Sequence, residues 1–312
     1  MFDNRLSLVL TEALKEKPYL NFAEYMSIAL YHPNGGYYMQ TPSPIGRDFV
    51  TAPLISPLLA KAISRWFGKN QIDSVVEIGA GSGILAKQIL EMNPGLNYAI
   101  LEKNIKGVHE VSSGLYKVVE HANDHNGAVI ANEVLDALPF RRFCYQEGKF
   151  EEFVITQELK VALVACQDVP SYIVDGLVDI NGPYVFEHCD YRVFFDLIRS
   201  VKGPVLLIDY GYQQDYFHPD RALGGMMCYE KHKVVPFSMN RTGLMDITHA
   251  VDWTEVESVA KECGFEMNKF GPQSDFIFSL VDDRDIDKQS LSLLCEHEMG
   301  TFVKVMSLSS VL

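Results

Sequence analysis

Residues 75–85 read Val-Val-Glu-Ile-Gly-Ala-Gly-Ser-Gly-Ile-Leu, and no other stretch restricts the fold as tightly. A short apolar run carrying one acid is followed by glycine at every second position and then by helix-forming residues. That order predicts a buried strand, a sharp turn and a helix start. Gly79, Gly81 and Gly83 lack Cβ, so the backbone can take positive φ there and approach a ligand closely. The dinucleotide fingerprint G-x-G-x-x-G would require glycine at position 84, where the chain has Ile84. A nicotinamide dehydrogenase is disfavoured on that ground. Glu77, just before the turn, suits a ligand with positive charge better than a pyrophosphate.

A second acid extends the pattern. Tyr98-Ala99-Ile100-Leu101 reads as a strand and ends in Glu102, 19 residues after Gly83. In a doubly wound sheet, an acid at the end of the second strand accepts hydrogen bonds from ribose hydroxyls. The intervening helix, from about Ile84 to Met92, stops at Asn93-Pro94-Gly95. An acid ending a strand is more often simply solvated, so Glu102 gains its weight from the glycine turn.

Further strands are expected at 74–78, 97–101, 128–131 and 204–208, continuous apolar runs suited to parallel strands covered on both faces. Phe143-Cys144-Tyr145 and Phe150 to Val154 flank Gln146-Glu147-Gly148-Lys149, which predicts an antiparallel hairpin. Late strands near 276–280 and 301–306 would close the sheet. Ahead of the glycine turn, Leu6, Val9, Leu10, Ala13 and Leu14 fall on one helical stripe. Asn21 and Glu24 have the spacing of a capping box opening a second helix. Four prolines between Thr41 and Pro57 predict loop, and a helix is expected from about Leu58 to Phe67. Helices are also expected over 193–200 and 255–262, the second stopped by Gly264.

Composition excludes several function classes. The 312 residues are 47% hydrophobic and 22% charged, ample for a core and without a disorder signature. A formal charge of −14 argues against a broad basic nucleic-acid face. Cys144, Cys166, Cys189, Cys228, Cys263 and Cys295 show no C-x-x-C spacing, so they read as reduced thiols, with no disulfide framework and no metal site. The beginning of the chain lacks a signal-peptide pattern, and no run approaches the ~20 apolar residues of a membrane span. A cytoplasmic location is the expectation.

Two more strand ends carry acids. Asn132-Glu133-Val134-Leu135-Asp136 follows the strand at 128–131, and ligands in open α/β sheets bind outside the carboxyl ends of the strands. Asn132, Glu133 and Asp136 are therefore placed to face an acceptor, although acids also favour helix N-termini for electrostatic reasons alone. Asp209 repeats the pattern one strand later, where a plain turn residue is the commoner reading. His249 and Asp252 are spaced to form a polar pair, with His249 more readily a structural residue than a general base.

Taken together the motifs make the chain resemble the MidA-type methyltransferases dependent on S-adenosylmethionine (SAM), bacterial relatives of a mitochondrial complex I assembly factor that methylates arginine. The resemblance rests on Tyr31-His32-Pro33 with Gly36-Tyr37-Tyr38, on residues 48–53 (Asp-Phe-Val-Thr-Ala-Pro), and on the glycine turn. Asn132-Glu133 with Asp136-Ala137-Leu138-Pro139, and Ile208-Asp209-Tyr210-Gly211, extend it. His249 with Val251-Asp252-Trp253, and the segment from Glu298 to Val305, complete it. It implies a Rossmann-like class I core over 71–312, with insertions at about 141–190 and 212–250. An N-terminal helical extension over 1–70 would cover the cofactor site. It also implies SAM held by Asp48, Thr51, Glu77, Gly79, Gly81, Gly83, Glu102 and Asn132. Glu133, Asp136 and Asp209 would act at the acceptor, and His249 and Asp252 would lie on the substrate side. The implied reaction is arginine methylation of a protein, with a respiratory complex subunit as the family's known partner. Two positions depart from the family pattern: Arg47 replaces the glycine before Asp48, and Leu54 stands where a glutamate is usual. Segment 224–241 is also weakly matched. The competing readings are methylation of a small molecule or another side chain, and a non-catalytic assembly chaperone on the same scaffold.

Overall fold

The computed structural model describes residues 4–41, 44, 50–122, 127–170, 173–174, 182–213, 221–296 and 299–311. By its internal contacts the chain divides into two units, one of residues 41–136, 191–211 and 251–312, the other of residues 1–40, 137–190 and 212–250.

The first unit is built on an eight-stranded mixed sheet. Its strands are β1 (Ser74–Ile78), β2 (Asn97–Leu101), β3 (Lys117–Val118), β4 (Ala128–Asn132), β5 (Val205–Tyr212), β6 (Val251–Asp252), β7 (Phe265–Pro272) and β8 (Val303–Ser310). The order across the sheet is β7-β8-β5-β4-β1-β2-β3, with β6 paired to β5. β3, β2, β1, β4 and β5 run parallel, whereas β8 is antiparallel to both β5 and β7. The chain leaves β1 for β2 on one side and returns to β4 on the other. A doubly wound sheet opens its ligand crevice at such a reversal, outside the strands' carboxyl ends.

The apolar runs read from the sequence form this sheet because both faces are covered. Val75, Ile100, Ile130 and Leu206 share one core with Leu59, Ile63 and Phe67 of helix Leu58–Lys69 and with Leu85 and Ile89 of helix Ile84–Met92. Each such side chain, fully buried, contributes roughly 1.5–3 kcal/mol.

Two expectations fail here. Residues 276–280 are not a strand: Gln273–Phe278 is a helix, and the strand that completes the sheet is β7, just before it. β7 lies at the sheet edge with Glu266, Met267, Asn268 and Lys269 exposed, so it carries no apolar run to betray it. The proline-rich stretch is also not loop throughout. Ala52–Ile55 forms a short helix, with Pro53 in its first turn, where a missing N–H costs nothing.

The second unit opens with helices Asn4–Ala13 and Phe22–Tyr31, the latter started by the expected reciprocal capping box between Asn21 and Glu24. Its five-stranded sheet contains the expected hairpin, Phe140–Gln146 against Lys149–Thr156, together with Tyr19–Asn21, Val161–Ala165 and Tyr184–Cys189. A three-stranded sheet of Met227–Glu230, Lys233–Val234 and Asp246–Thr248 accompanies it. No helix among the described residues is long and apolar enough to cross a membrane.

Candidate active site

The site lies at the carboxyl ends of β1, β2 and β4 in the first unit. Gly79, Gly81 and Gly83 have φ of 71°, 57° and 85°, left-handed values that side-chain-bearing residues resist. The turn is closed from both sides. A Cβ on Gly79 would stand 2.7 Å from Cγ2 of Val134, and one on Gly83 would stand 2.8 Å from Cγ1 of Val108. The glycines therefore permit close packing as well as the turn itself. Gly79 N–H donates to the Leu101 carbonyl, 2.9 Å, tying the turn to the end of β2.

Glu102 is the hinge of this arrangement. One carboxylate oxygen accepts from Gly81 N–H at 3.0 Å and the other from Asn104 N–H at 2.8 Å. Each carboxylate oxygen has two lone-pair directions, so both can still receive ligand hydroxyls. Glu77 has a different situation. It is 3% exposed, its carboxyl accepts from the Tyr98 hydroxyl at 2.8 Å, and burial pushes its pKa up to about 7. Expected among the residues that hold the cofactor, it is instead buried within β1 and paired with Tyr98 of β2. Thr51 is buried at the start of the Ala52–Ile55 helix, while Asp48 and Arg47 lie outside the described residues. Leu54, at the family's glutamate position, is 36% exposed.

The chain leaving β4 makes the second wall. Glu133 N–H still donates to the Ile208 carbonyl at 2.8 Å, extending the β4–β5 ladder by one residue. Glu133 itself has φ of 53°, a left-handed backbone at a residue that carries a side chain. Its carboxylate is half-buried and receives Asn132 Nδ2 at 3.4 Å. Asn132 Oδ1 and Ser82 Oγ are buried and have no hydrogen-bond partner among the described residues. Unsatisfied buried polar atoms in a native fold call for an explanation, and these two belong to the glycine turn and to the last residue of β4.

Three grouped residues are turned elsewhere. Asp209 was expected beside Glu133 and Asp136 at the acceptor; it is instead 0% exposed. Its Oδ2 accepts from the N–H groups of Val134 (3.1 Å), Leu135 (2.9 Å) and Asp136 (3.1 Å), and Oδ1 accepts from Tyr210 N–H at 2.9 Å. A carboxylate enclosed by four backbone donors presents nothing to a substrate. Asp252, expected on the substrate side, caps helix Trp253–Glu262 by accepting from Thr254 and Glu255 N–H. Burial pushes its pKa up to about 6. His249 belongs to the other unit, fully buried with its ring 4.8 Å from that of Phe140.

Sequence reasoning missed the partners of these groups. A buried tyrosine within a strand needs an acceptor for its hydroxyl, and that signal could have paired Tyr98 with Glu77. Nothing in the sequence marks Val134 as the residue that fills the hollow over Gly79.

The profile of a family of S-adenosyl-L-methionine-dependent methyltransferases matches residues 58–272. The chain belongs to this family. The match spans β1 through β7, and so the glycine turn, Glu102 and the wall after β4. Among solved structures, a COG1565 superfamily member from Burkholderia thailandensis with S-adenosyl-homocysteine bound superposes with a TM-score of 0.83. The two are 25% identical, over 97% of this chain and 92% of that one. Among curated proteins, the mitochondrial protein arginine methyltransferase NDUFAF7 of Bos taurus is 35% identical over 302 residues, covering 78% of this chain and 66% of its own length. The Drosophila melanogaster homologue is 27% identical over 313 residues, 78% of this chain and 67% of its own length. The chain thus spans about two thirds of the length of these curated relatives.

Proposed function

We propose that this SAM-dependent methyltransferase transfers its methyl group to an arginine side chain of a protein. The observation that carries the reading is Glu133, a half-buried carboxylate held in a left-handed backbone one residue beyond the carboxyl end of β4. Strained conformations of this kind cost about 1–3 kcal/mol and collect at functional sites. The names of the curated relatives point to the same acceptor.

The residues present fit the cofactor. Gly79, Gly81 and Gly83 give the turn its left-handed backbone, the lone pairs of Glu102 suit ribose hydroxyls, and Asn132 Oδ1 and Ser82 Oγ are buried without a hydrogen-bond partner among the described residues. When bound, SAM supplies an electrophilic methyl group on a cationic sulfur, open to in-line displacement without a covalent enzyme intermediate.

The chain's own work is then alignment, and proximity of that kind can supply ~7–11 kcal/mol. A guanidinium is planar and always charged, and it offers its N–H groups in a fixed fork. Glu133 would take two of those N–H groups bidentately, concentrating positive charge on the nitrogens it holds and leaving the third nitrogen to attack. Asp136, three residues on, would add negative potential from the same segment. A guanidinium that has accepted a methyl group loses its extra proton readily, so no residue need act as base beforehand. Among proteins, a respiratory complex subunit is the first acceptor to test, on the strength of the motif resemblance.

The test is incubation of the purified chain with methyl-labelled SAM and cellular protein, followed by acid hydrolysis and amino-acid analysis. Label on methylated arginine is expected. Label confined to small molecules or to another amino acid would overturn the arginine assignment and leave the methyltransferase standing.

A further inference from the structure

The four-donor enclosure of Asp209 has a geometry that a plain turn residue would not need. β4 and β5 are paired in parallel register as far as Asn132 opposite Ile208, and Glu133 N–H adds one more rung. There β4 ends while β5 continues to Tyr212. The next three amides, of Val134, Leu135 and Asp136, find no further strand carbonyl. All three converge on a single side-chain oxygen, Asp209 Oδ2. Successive N–H groups that converge on one point form a backbone nest of the kind that holds anions, and here its occupant is the protein's own carboxyl, whose pKa burial pushes up to about 7 against the lowering effect of these same amides. The left-handed φ at Glu133 sits immediately before this nest, where the backbone must swing out of the strand direction.

Asp209 is itself immobilised. Gly211 brings β6 so close that a Cβ would stand 2.1 Å from the Val251 carbonyl oxygen, and Tyr210 stacks on Phe302 with ring centroids 5.3 Å apart. The wall after β4 thus takes its shape from the neighbouring strand. Glu133 sits on one side of the nest and Asp136 closes the other.

We infer that Asp209 is the positioning residue of the acceptor site: its buried carboxylate folds residues 134–136 into a fixed nest and thereby sets where Glu133 and Asp136 point. The inference rests on the proposed acceptor role of those two residues and goes beyond it. Asp209 touches no substrate, so its effect is expected in acceptor turnover and not in cofactor affinity. The same nest holds Val134 over Gly79, but the φ values of the turn are secured separately by Glu102 and the Leu101 carbonyl.

The test compares wild type with Asp209→Asn and Asp209→Ala. Asparagine keeps the size and one acceptor oxygen but sets an N–H₂ group against backbone donors. Amide hydrogen exchange at 134–136, measured on the whole chain, needs no acceptor. It is expected to accelerate at least about tenfold in Asp209→Asn and further in Asp209→Ala. S-adenosylhomocysteine affinity by calorimetry is expected to stay within about threefold in Asp209→Asn. Methyl transfer to a panel of synthetic arginine peptides should fall on the order of 100-fold in kcat/KM. Unchanged exchange at 134–136 would overturn the inference, as would cofactor affinity falling in step with turnover. If the wild type binds S-adenosylhomocysteine yet labels no arginine peptide, the arginine assignment is what fails, and the exchange result still decides whether Asp209 organises the segment.

Discussion

Adding one methyl group to the glycine turn tests how the crevice is built. In Gly79→Ala, φ of 71° puts an L side chain in the left-handed region, at a cost of about 1–2 kcal/mol. The new Cβ would also stand 2.7 Å from Val134 Cγ2, well inside van der Waals contact. Val134 is β-branched and stiff at χ1, so it cannot simply rotate away. Overpacking of this sort costs about 1–3 kcal/mol. The two effects act on the same turn and together remove about 2–5 kcal/mol from the native state or from its binding-competent form. Val134→Ala in the same chain should separate them, since it deletes Cγ2 and leaves the backbone strain in place. Urea unfolding and S-adenosylhomocysteine titration of the two single variants and the double variant complete a thermodynamic cycle. Val134→Ala is expected to rescue Gly79→Ala in part, with a coupling of about 1–3 kcal/mol. Additive effects, within about 0.5 kcal/mol, would refute the idea that Val134 occupies the hollow over Gly79.

Other expectations follow from the same geometry. Burial raises Glu77 from an ordinary carboxylate value to about 7, so the folded state holds a proton that the unfolded chain gives up near pH 4–5. Stability from this group is complete below the unfolded value and is lost as pH rises through about 7. Unfolding free energy should therefore decline between pH 5 and 8, with Glu77 responsible for up to about 3 kcal/mol, and Glu77→Gln should make that decline shallower, since Asp209 and Asp252, also raised by burial, still contribute. Equal pH slopes for variant and wild type in urea melts would contradict this. Glu133→Gln should lower methyl transfer to arginine peptides by about 10²–10³-fold and leave S-adenosylhomocysteine affinity within threefold, as fits loss of one charge-assisted fork. Cofactor affinity that fell with turnover would move Glu133 from the acceptor to the cofactor.

Much of the architecture could be read from the chain because its signals are local. The strand–glycine–helix run, the Asn21/Glu24 box and the hairpin turn at Glu147-Gly148 each specify themselves within a few residues. β7 escaped because an edge strand exposed along half of its length has neither an apolar run nor clean alternation. The acids divide in the same way. Glu102 could be placed because its distance from the turn is fixed by one helix and one strand. Asp209 and Asp252 could not be told from substrate-facing carboxylates, because their partners are backbone amides: 73 residues back along the chain in one case and at a helix start in the other. An acid at a strand end looks the same in sequence whether it meets solvent, a ligand or a nest.

If the glycine turn and Glu102 together hold the methyl donor, calorimetric titration of S-adenosylhomocysteine into wild type and Glu102→Ala shows it most directly. Saturable one-to-one binding by the wild type is the expected result. In Glu102→Ala the affinity should be about 10–100-fold weaker, because charge-assisted hydrogen bonds contribute about 1.5–3 kcal/mol and the Gly81 and Asn104 amides lose their acceptor. No heat of binding in the wild type, or equal affinity in the variant, would contradict it.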